Sequence, residues 1–199
     1  MTRRAVVALL HPIRWQPPGV APARWRRALV EDTVDLLTSL NEVTPAIAYG
    51  GADRELADAV VWPGMARYEL AEPSVAGALA AASEDGFQQA AVLVTDAPDL
   101  PGLLIGKLLR PLSTRTVAVA PALDGAGLLG VAARLPAAAW FPPVDLERGS
   151  VGEVRAAAPR PTDVAGTPGW RRLRDPGALG TLDPAVEGWE ATRLLLSRP

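Results

Sequence analysis

Residues Ala90–Thr95 read AAVLVT, and the five that follow, Asp96–Leu100, read DAPDL. Six uncharged residues rich in β-branching make a strand buried on both faces, as in parallel sheets covered by helices. Two aspartates then punctuate a short loop. Pro101 suits the first turn of a helix, where a missing N–H costs little, so a helix is expected over Gly102–Leu112. A buried strand, an acidic loop and a helix form one unit of an α/β fold.

The same alternation extends outward. Arg4–Leu10 (RAVVALL) reads as a first buried strand. His11–Pro22 holds four prolines and one glycine and is a loop. Ala23–Leu40 places Trp25, Ala28, Leu29, Val34, Leu36, Leu37 and Leu40 at roughly helical spacing among arginines and acids. Thr44–Tyr49 and Arg67–Leu70 read as strands, and Asp53–Val60 and Val75–Phe87 as helices. Thr116–Ala120 (TVAVA) is a further buried strand, and Gly125–Arg134 leads into an antiparallel one. Val151–Ala158 and Pro184–Ser197 read as helices. The expected fold is a three-layer α/β/α arrangement around a mainly parallel, doubly wound sheet. A single domain over 1–199 is expected, with a Pro-, Gly- and Arg-rich C-terminal extension from about 159.

Composition narrows the chemistry. The 199 residues carry a net charge of −2, which gives no electrostatic reason to expect nucleic acid as partner. The absence of cysteine excludes disulfides, zinc–thiolate sites and thiol nucleophiles. His11 is the single histidine and Lys107 the single lysine, so basic chemistry falls to arginine. No apolar stretch is long enough for a membrane span, and the Ala5–Leu10 run lacks a signal-peptide cleavage site; a cytoplasmic protein is expected. GxSxG, GxxxxGK[ST] and a GxGxxG following the first strand are all absent. Gly125–Gly130 (GAGLLG) spells GxGxxG but precedes an apparent strand rather than a helix.

Ligands of open α/β sheets bind beyond the carboxyl ends of the strands. Asp96 and Asp99 stand there, and two carboxylates on one tight loop suit a hard cation such as Mg²⁺, which takes oxygen ligands and shares them with substrate phosphates. The plainer alternative is that Asp96 ends the strand and Asp99 caps the next helix.

The stretch VLVTDAPDLPGLLIGKLLRPL resembles the central motif of the glycosyltransferase-A-like nucleotidyltransferases. In particular it is similar to the DUF2064 family and to the related phospholactate guanylyltransferases. The match falls on Thr95, Asp96, Pro98, Asp99 and Leu100. Downstream, VAVAPALDGAGLLGVAAR is similar to the families' Pro…Asp-Gly-Gly segment through Pro121, Asp124 and Gly125, with Ala126 in place of the second glycine. VEDTVDLL (Val30–Leu37) resembles the first-helix segment, and WFPPVDLERGSVGEV is a weaker match. The resemblance spans about Arg4–Ala158. It implies the nucleotide-diphospho-sugar transferase (GT-A) fold, a metal at Asp96 helped by Asp99, and Mg²⁺ or Mn²⁺ as cofactor. It also implies that Asp124 reaches the metal or the acceptor, and that the Gly125–Gly127 backbone lines the site.

The pattern breaks at the basic loop after the first strand, where the families carry Pro-Gly-x-x-Lys-Thr-Arg-Leu. Here PPGVAPARWRR keeps Pro18 and Gly19 but no lysine. Arg14 or Arg24 is the candidate replacement for holding phosphate; arginine offers a fork where lysine offers a point charge. Arg26 and Arg27 read as solvated helix positions. His11 either meets a ligand or simply ends its strand. Trp15 and Trp62 either stack on a base or sugar or cover a core edge. Ser150 reads as an N-cap, and Arg171, Arg172 and Arg174 as surface.

The function expected is a metal-dependent nucleotidyl- or glycosyltransferase-like protein acting on a nucleotide or nucleotide-sugar and a small-molecule acceptor. A catalytically degenerate protein of the same fold, kept as a binding or partner protein, is the alternative; a metal-free small-molecule binder is a third. A homodimer is left open.

Overall fold

The computed structural model describes residues 2–123, 125 and 127–197; Asp124 lies outside them. Among the described residues seven strands form one sheet: β1 (Arg4–Leu9), β2 (Thr44–Gly50), β3 (Ala66–Leu70), β4 (Gln89–Leu93), β5 (Val117–Pro121), β6 (Leu128–Arg134) and β7 (Val164–Gly166). Their order is β3-β2-β1-β4-β6-β5-β7. Every neighbouring pair is parallel except the two made by β6, which runs antiparallel between β4 and β5. The helices are α1 (Pro22–Ser39), α2 (Arg54–Val60), α3 (Val75–Glu84), α4 (Gly102–Leu109), α5 (Val151–Ala157), α6 (Pro176–Leu179) and α7 (Glu190–Leu196). No helix among the described residues is long and apolar enough to cross a membrane.

The central strands follow from their sequences. Val6, Val7, Ala8, Ala90, Ala91, Val92 and Leu93 are all buried, as uninterrupted apolar strands between two helical layers must be. α1 starts at Pro22, where proline's fixed φ suits the first turn. Ser150 and Glu153 form the reciprocal cap that opens α5, as Ser150's position in the sequence suggests. α4 ends at Leu109, earlier than expected, and a 3₁₀ turn over Arg110–Ser113 carries the chain on.

The winding reverses between β1 and β4. From β1 the chain steps outward through β2 to β3, then crosses back to build β4 on the other side of β1. That adjacency is a topological switch point, where the loops leaving the two strands diverge and open a crevice. His11 follows β1 and Asp96 follows β4, so both stand at its mouth.

The C-terminal stretch does not hang from the edge. β7 pairs with β5. Leu173 joins Trp25 and Leu29 of α1 in a satellite cluster that Ile13, Trp15, Leu179, Leu182 and Leu195 cover. The periodicity of residues 164–166 is too short to announce a strand, which is why β7 was not expected from sequence.

Candidate functional site

Asp96 and Asp99 are buried beyond the end of β4. Neither faces open solvent, because a segment from far along the chain, Trp170–Arg174, lies across their loop. The Leu173 N–H donates to the Asp96 carbonyl at 2.7 Å, and the Leu123 N–H to the Trp170 carbonyl at 3.0 Å. Gly169 permits that passage: a β-carbon there would stand 2.0 Å from the Pro121 carbonyl oxygen.

Arg172 is fully buried in this segment. Its Nε donates to Asp96 Oδ1 at 2.6 Å and its Nη2 to Asp96 Oδ2 at 2.8 Å, a two-pronged fit that only the planar guanidinium provides. Nη2 also donates to Glu147 Oε1, and Nη1 to the carbonyls of Leu128 (3.2 Å) and Leu146 (2.9 Å). Burial alone would lower the Arg172 pKa; the carboxylates of Asp96 and Glu147 outweigh it and raise the pKa above the ordinary arginine value. Arg174 stands 3.4 Å from Glu147 Oε1 and 3.9 Å from Asp96 Oδ2. The sequence expectation that Arg171, Arg172 and Arg174 lie on the surface is therefore wrong. A run of arginines reads as a solvated face until a buried acid is known to lie opposite.

Asp99 does not cap α4. The N-cap position is Pro101, with no side-chain cap. Asp99 instead accepts from Trp170 Nε1 (3.0 Å), Arg171 Nη2 (2.8 Å) and the backbone N–H of Asp183 (2.9 Å). Arg171 also stacks over the Trp170 ring at 4.2 Å. Asp99 thus anchors the C-terminal stretch, and its oxygens are turned to that task rather than towards a cation.

Glu147 is the residue that sequence reading missed. It belongs to the loop Val144–Gly149, within the weakest of the matched segments. Besides Arg172 and Arg174 it meets Arg14, whose Nε lies 3.0 Å from Oε2. Arg14, one of the expected phosphate holders, is thus at the site with its side chain 58% exposed. Arg24 is exposed on the first turn of α1 and joins none of these ion pairs. Arg26 is no solvated bystander: it pairs with Asp53 at 2.5 and 2.8 Å and donates to the His11 carbonyl at 3.2 Å, fixing the turn after β1.

His11 reaches the same edge. Its Nε2 receives the Thr95 N–H at 3.5 Å and its Nδ1 lies 3.1 Å from the Pro12 carbonyl, a pair of contacts suited to the neutral Nδ1–H tautomer. Nδ1 is 3.8 Å from Glu147 Oε1. Donor atoms of His11, Asp96 and Glu147 all fall within 4.8 Å of one another.

The expectation for the glycine turn changes too. Gly127 has φ +77°, and a β-carbon there would stand 2.5 Å from the Leu146 carbonyl oxygen and 2.6 Å from that of Glu147. The Leu128 N–H donates to Leu146 O at 2.8 Å. Gly127 therefore packs against the Glu147 loop. Gly125 (φ +89°) borders open space. Asp124, expected as a catalytic group, lies outside the described residues.

A cleft of about 260 Å³ opens beside this cluster, between Leu9 and His11, the start of α3 at Pro73–Val75, and the loop Val144–Glu147. A larger hollow, about 520 Å³, lies at the opposite, amino-terminal edge of the sheet beside Arg3, Arg4 and Glu42, away from the acidic loop. Trp15 packs edge-on against Trp25, and Trp62 donates to Asp35, so neither lines the cleft.

No protein-family model matches the sequence, and no curated protein matches it by sequence comparison. Solved structures do match in shape. A protein described as a nucleotide-diphospho-sugar transferase from Desulfovibrio desulfuricans superposes with a TM-score of 0.66 at 18% identity, over 98% of this chain and 95% of that one. The chain has the fold of the nucleotide-diphospho-sugar transferases. The 4-diphosphocytidyl-2C-methyl-D-erythritol synthase of Anaerococcus prevotii gives 0.62 at 10% identity, covering 98% and 96% of the two chains. The glucosyl-3-phosphoglycerate synthase of Mycobacterium tuberculosis, in complex with Mn²⁺, UDP-glucose and phosphoglyceric acid, gives 0.58 at 14% identity, covering 96% and 79%.

A divalent cation such as the Mn²⁺ of that complex needs donor atoms of suitable type that are free of competing charge. The donor types of His11, Asp96 and Glu147 are suitable, and their spacing approaches what one ion spans. The electrostatics are not. Both oxygens of Asp96 and Oε1 of Glu147 already accept from Arg172, and Oε2 of Glu147 is paired with Arg14. Among the described residues, three carboxylates (Asp96, Asp99, Glu147) meet four guanidinium groups (Arg14, Arg171, Arg172, Arg174). Each of these three carboxylates is already matched by a guanidinium, and in this arrangement the metal does not fit.

Proposed function

We propose that this chain binds a nucleotide or nucleotide-sugar through its phosphates at the carboxyl edge of β1 and β4, as a nucleotidyl- or glycosyltransferase-like protein. The observation that carries the reading is the cleft at the switch point, flanked by His11 and Glu147, with the exposed Arg14 guanidinium on Glu147 beside it. A phosphate arriving there meets fixed positive charge. Charge on a leaving phosphate must be neutralised for transfer to proceed, and oriented guanidinium groups do this without reorganising at the moment of reaction. In this reading Arg14 and Arg174 hold the phosphates, and Asp96 holds Arg172 in place without touching substrate. Asp124 and Gly125 line the acceptor side. The similarity to DUF2064 and the phospholactate guanylyltransferases, carried by VLVTDAPDL, belongs to the same proposal, as does a small-molecule acceptor of the kind phosphoglyceric acid represents in the mycobacterial complex.

One observation favours a second reading. With Asp96 locked on Arg172, the chain keeps the fold and a phosphate-binding edge while the acid is withdrawn from chemistry. A protein that binds without turnover would look like this. Calorimetric titration with UDP-glucose, CTP and GTP, followed by an assay with phosphoglyceric acid as acceptor for release of UDP from UDP-glucose or of pyrophosphate from CTP or GTP, separates the readings. Saturable binding with release supports the transferase; saturable binding without release supports the degenerate protein. No binding by any nucleotide overturns both.

A further inference from the structure

We propose that Arg172 occupies the place of a divalent cation in this chain, so that the site holds no metal ion. The argument rests on where the guanidinium sits. An ion held by His11, Asp96 and Glu147 would stand among their donor atoms, which fall within 4.8 Å of one another. Arg172 Nη2 is already hydrogen-bonded to both Asp96 Oδ2 and Glu147 Oε1, on the two acids that any such ion would need. A guanidinium and a dication contend for the same oxygens.

Arg172 is not a plug that a conformational change would remove. Its own Nη1 is satisfied by the carbonyls of Leu128 and Leu146. The residue after it hydrogen-bonds the Asp96 backbone and buries its side chain against Trp25 and Leu29. The residues before it are tied to Asp99, and Gly169 has no room for a side chain against Pro121. Withdrawing Arg172 means undocking the whole stretch from Gly169 to Asp183. Charge points the same way. The two guanidinium groups nearest Glu147 after Arg172, those of Arg14 and Arg174, would repel an incoming cation and attract an anion.

The cation question does not depend on a nucleotide being the ligand, and the experiment is arranged accordingly. Mn²⁺ alone is titrated into the full chain, with free ion followed by electron paramagnetic resonance and the melting temperature recorded with Mn²⁺ and with EDTA. The expected result is no saturable site and the same melting temperature in both. An ion bound at a hundredfold its Kd would raise the melting temperature by roughly 5–10 °C, so the difference is readable. One saturable Mn²⁺ per chain that disappears in Asp96→Asn overturns the proposal.

Arg172→Met keeps the stem and removes the charge. It is expected to gain one Mn²⁺ site and a Mn²⁺-dependent rise in melting temperature that the wild type lacks. A folded Arg172→Met chain that gains no site overturns the proposal. Should that variant not fold, metal-free Asp96→Asn is read instead. It is expected to melt below the wild type, because a buried guanidinium has lost a counterion; melting at or above the wild type overturns the proposal. UDP-glucose titrated in EDTA completes the set. Binding there agrees with the proposal, and binding that requires Mn²⁺ overturns it. No binding in either buffer refutes the proposed function and leaves the Mn²⁺ titration to decide the cation.

Discussion

The carboxylate of Asp96 and the guanidinium of Arg172, 76 positions apart in sequence, form a two-pronged pair at 2.6 and 2.8 Å in which neither partner is open to solvent. A buried pair of this kind is held together by its geometry, and its members are costly to separate. Removing one leaves the other charged, desolvated and unmatched, which costs about 3–5 kcal/mol. Arg172→Ala is therefore expected to lose about that much, read as a lower midpoint in urea denaturation. Arg172→Lys should recover only part of it, since one ammonium does not reproduce the fork. A loss below about 1 kcal/mol, the range of an exposed pair, would refute this account of the cluster.

Arg14 separates binding from stability. Its side chain is more than half exposed, so its pair with Glu147 is screened and adds little to folding. In the proposed function it acts as a donor to a phosphate. Arg14→Ala is expected to weaken nucleotide binding roughly tenfold, in keeping with one lost charge-assisted hydrogen bond, with urea stability unchanged within about 0.5 kcal/mol. Arg24→Ala, on an exposed turn outside the cluster, serves as the control and should change neither. Equal losses from the two variants would place the phosphates elsewhere.

Gly127→Ala tests how the Glu147 loop is held. The substitution meets two carbonyl oxygens at 2.5 and 2.6 Å and is strained by φ +77° besides. It is expected to cost about 2 kcal/mol or more and to disturb Glu147, read by denaturation and by nucleotide titration. Gly125→Ala has the same backbone difficulty and open space around it, so it should cost only about 1 kcal/mol. Similar losses at the two positions would show that contact with the loop is unimportant.

The sheet was legible because its signals are local. β1, β4 and β5 are short, uninterrupted apolar runs, and nothing but a strand covered on both faces suits them. The antiparallel β6 followed from the glycine turn before it. The edge of the sheet expected to carry a site followed from the rule for open α/β sheets, and His11 and Asp96 do meet there. What was not legible is the pairing. Arg172 sits in WRRLR, a string that local reasoning assigns to solvent. Only the passage of that segment over the DAPDL loop, permitted by Gly169 and fixed by Leu173, turns it inward. Asp99 was misread for the same reason. Three residues after the strand, it stands where a cap is expected, yet its partners Trp170, Arg171 and Asp183 come from beyond residue 169.

Asp32 gives the pH prediction. It lies buried on α1, and its carboxylate accepts the backbone N–H groups of Ala191 and Thr192 at 2.9 Å each, capping α7 from a neighbouring helix. Burial pushes its pKa up from 3.8 to about 6, outweighing the hydrogen bonds that would lower it. A carboxyl whose folded pKa lies above its unfolded one binds its proton more tightly when folded. Its contribution to stability is complete below pH 3.8 and is lost as the pH rises through about 6. A shift of that size corresponds to roughly 3 kcal/mol. Asp32→Asn does not titrate, and its mismatch with the two N–H donors is the same at every pH. The stability of the wild type relative to Asp32→Asn should therefore fall between about pH 4 and pH 6 and stay level above pH 7. Urea denaturation of both chains across that range makes the comparison, and taking the difference cancels every other titrating group. A difference that rises with pH, or does not change, would mean that Asp32 is ionised in the fold at ordinary carboxylate pH and that its hydrogen bonds to α7 outweigh its burial.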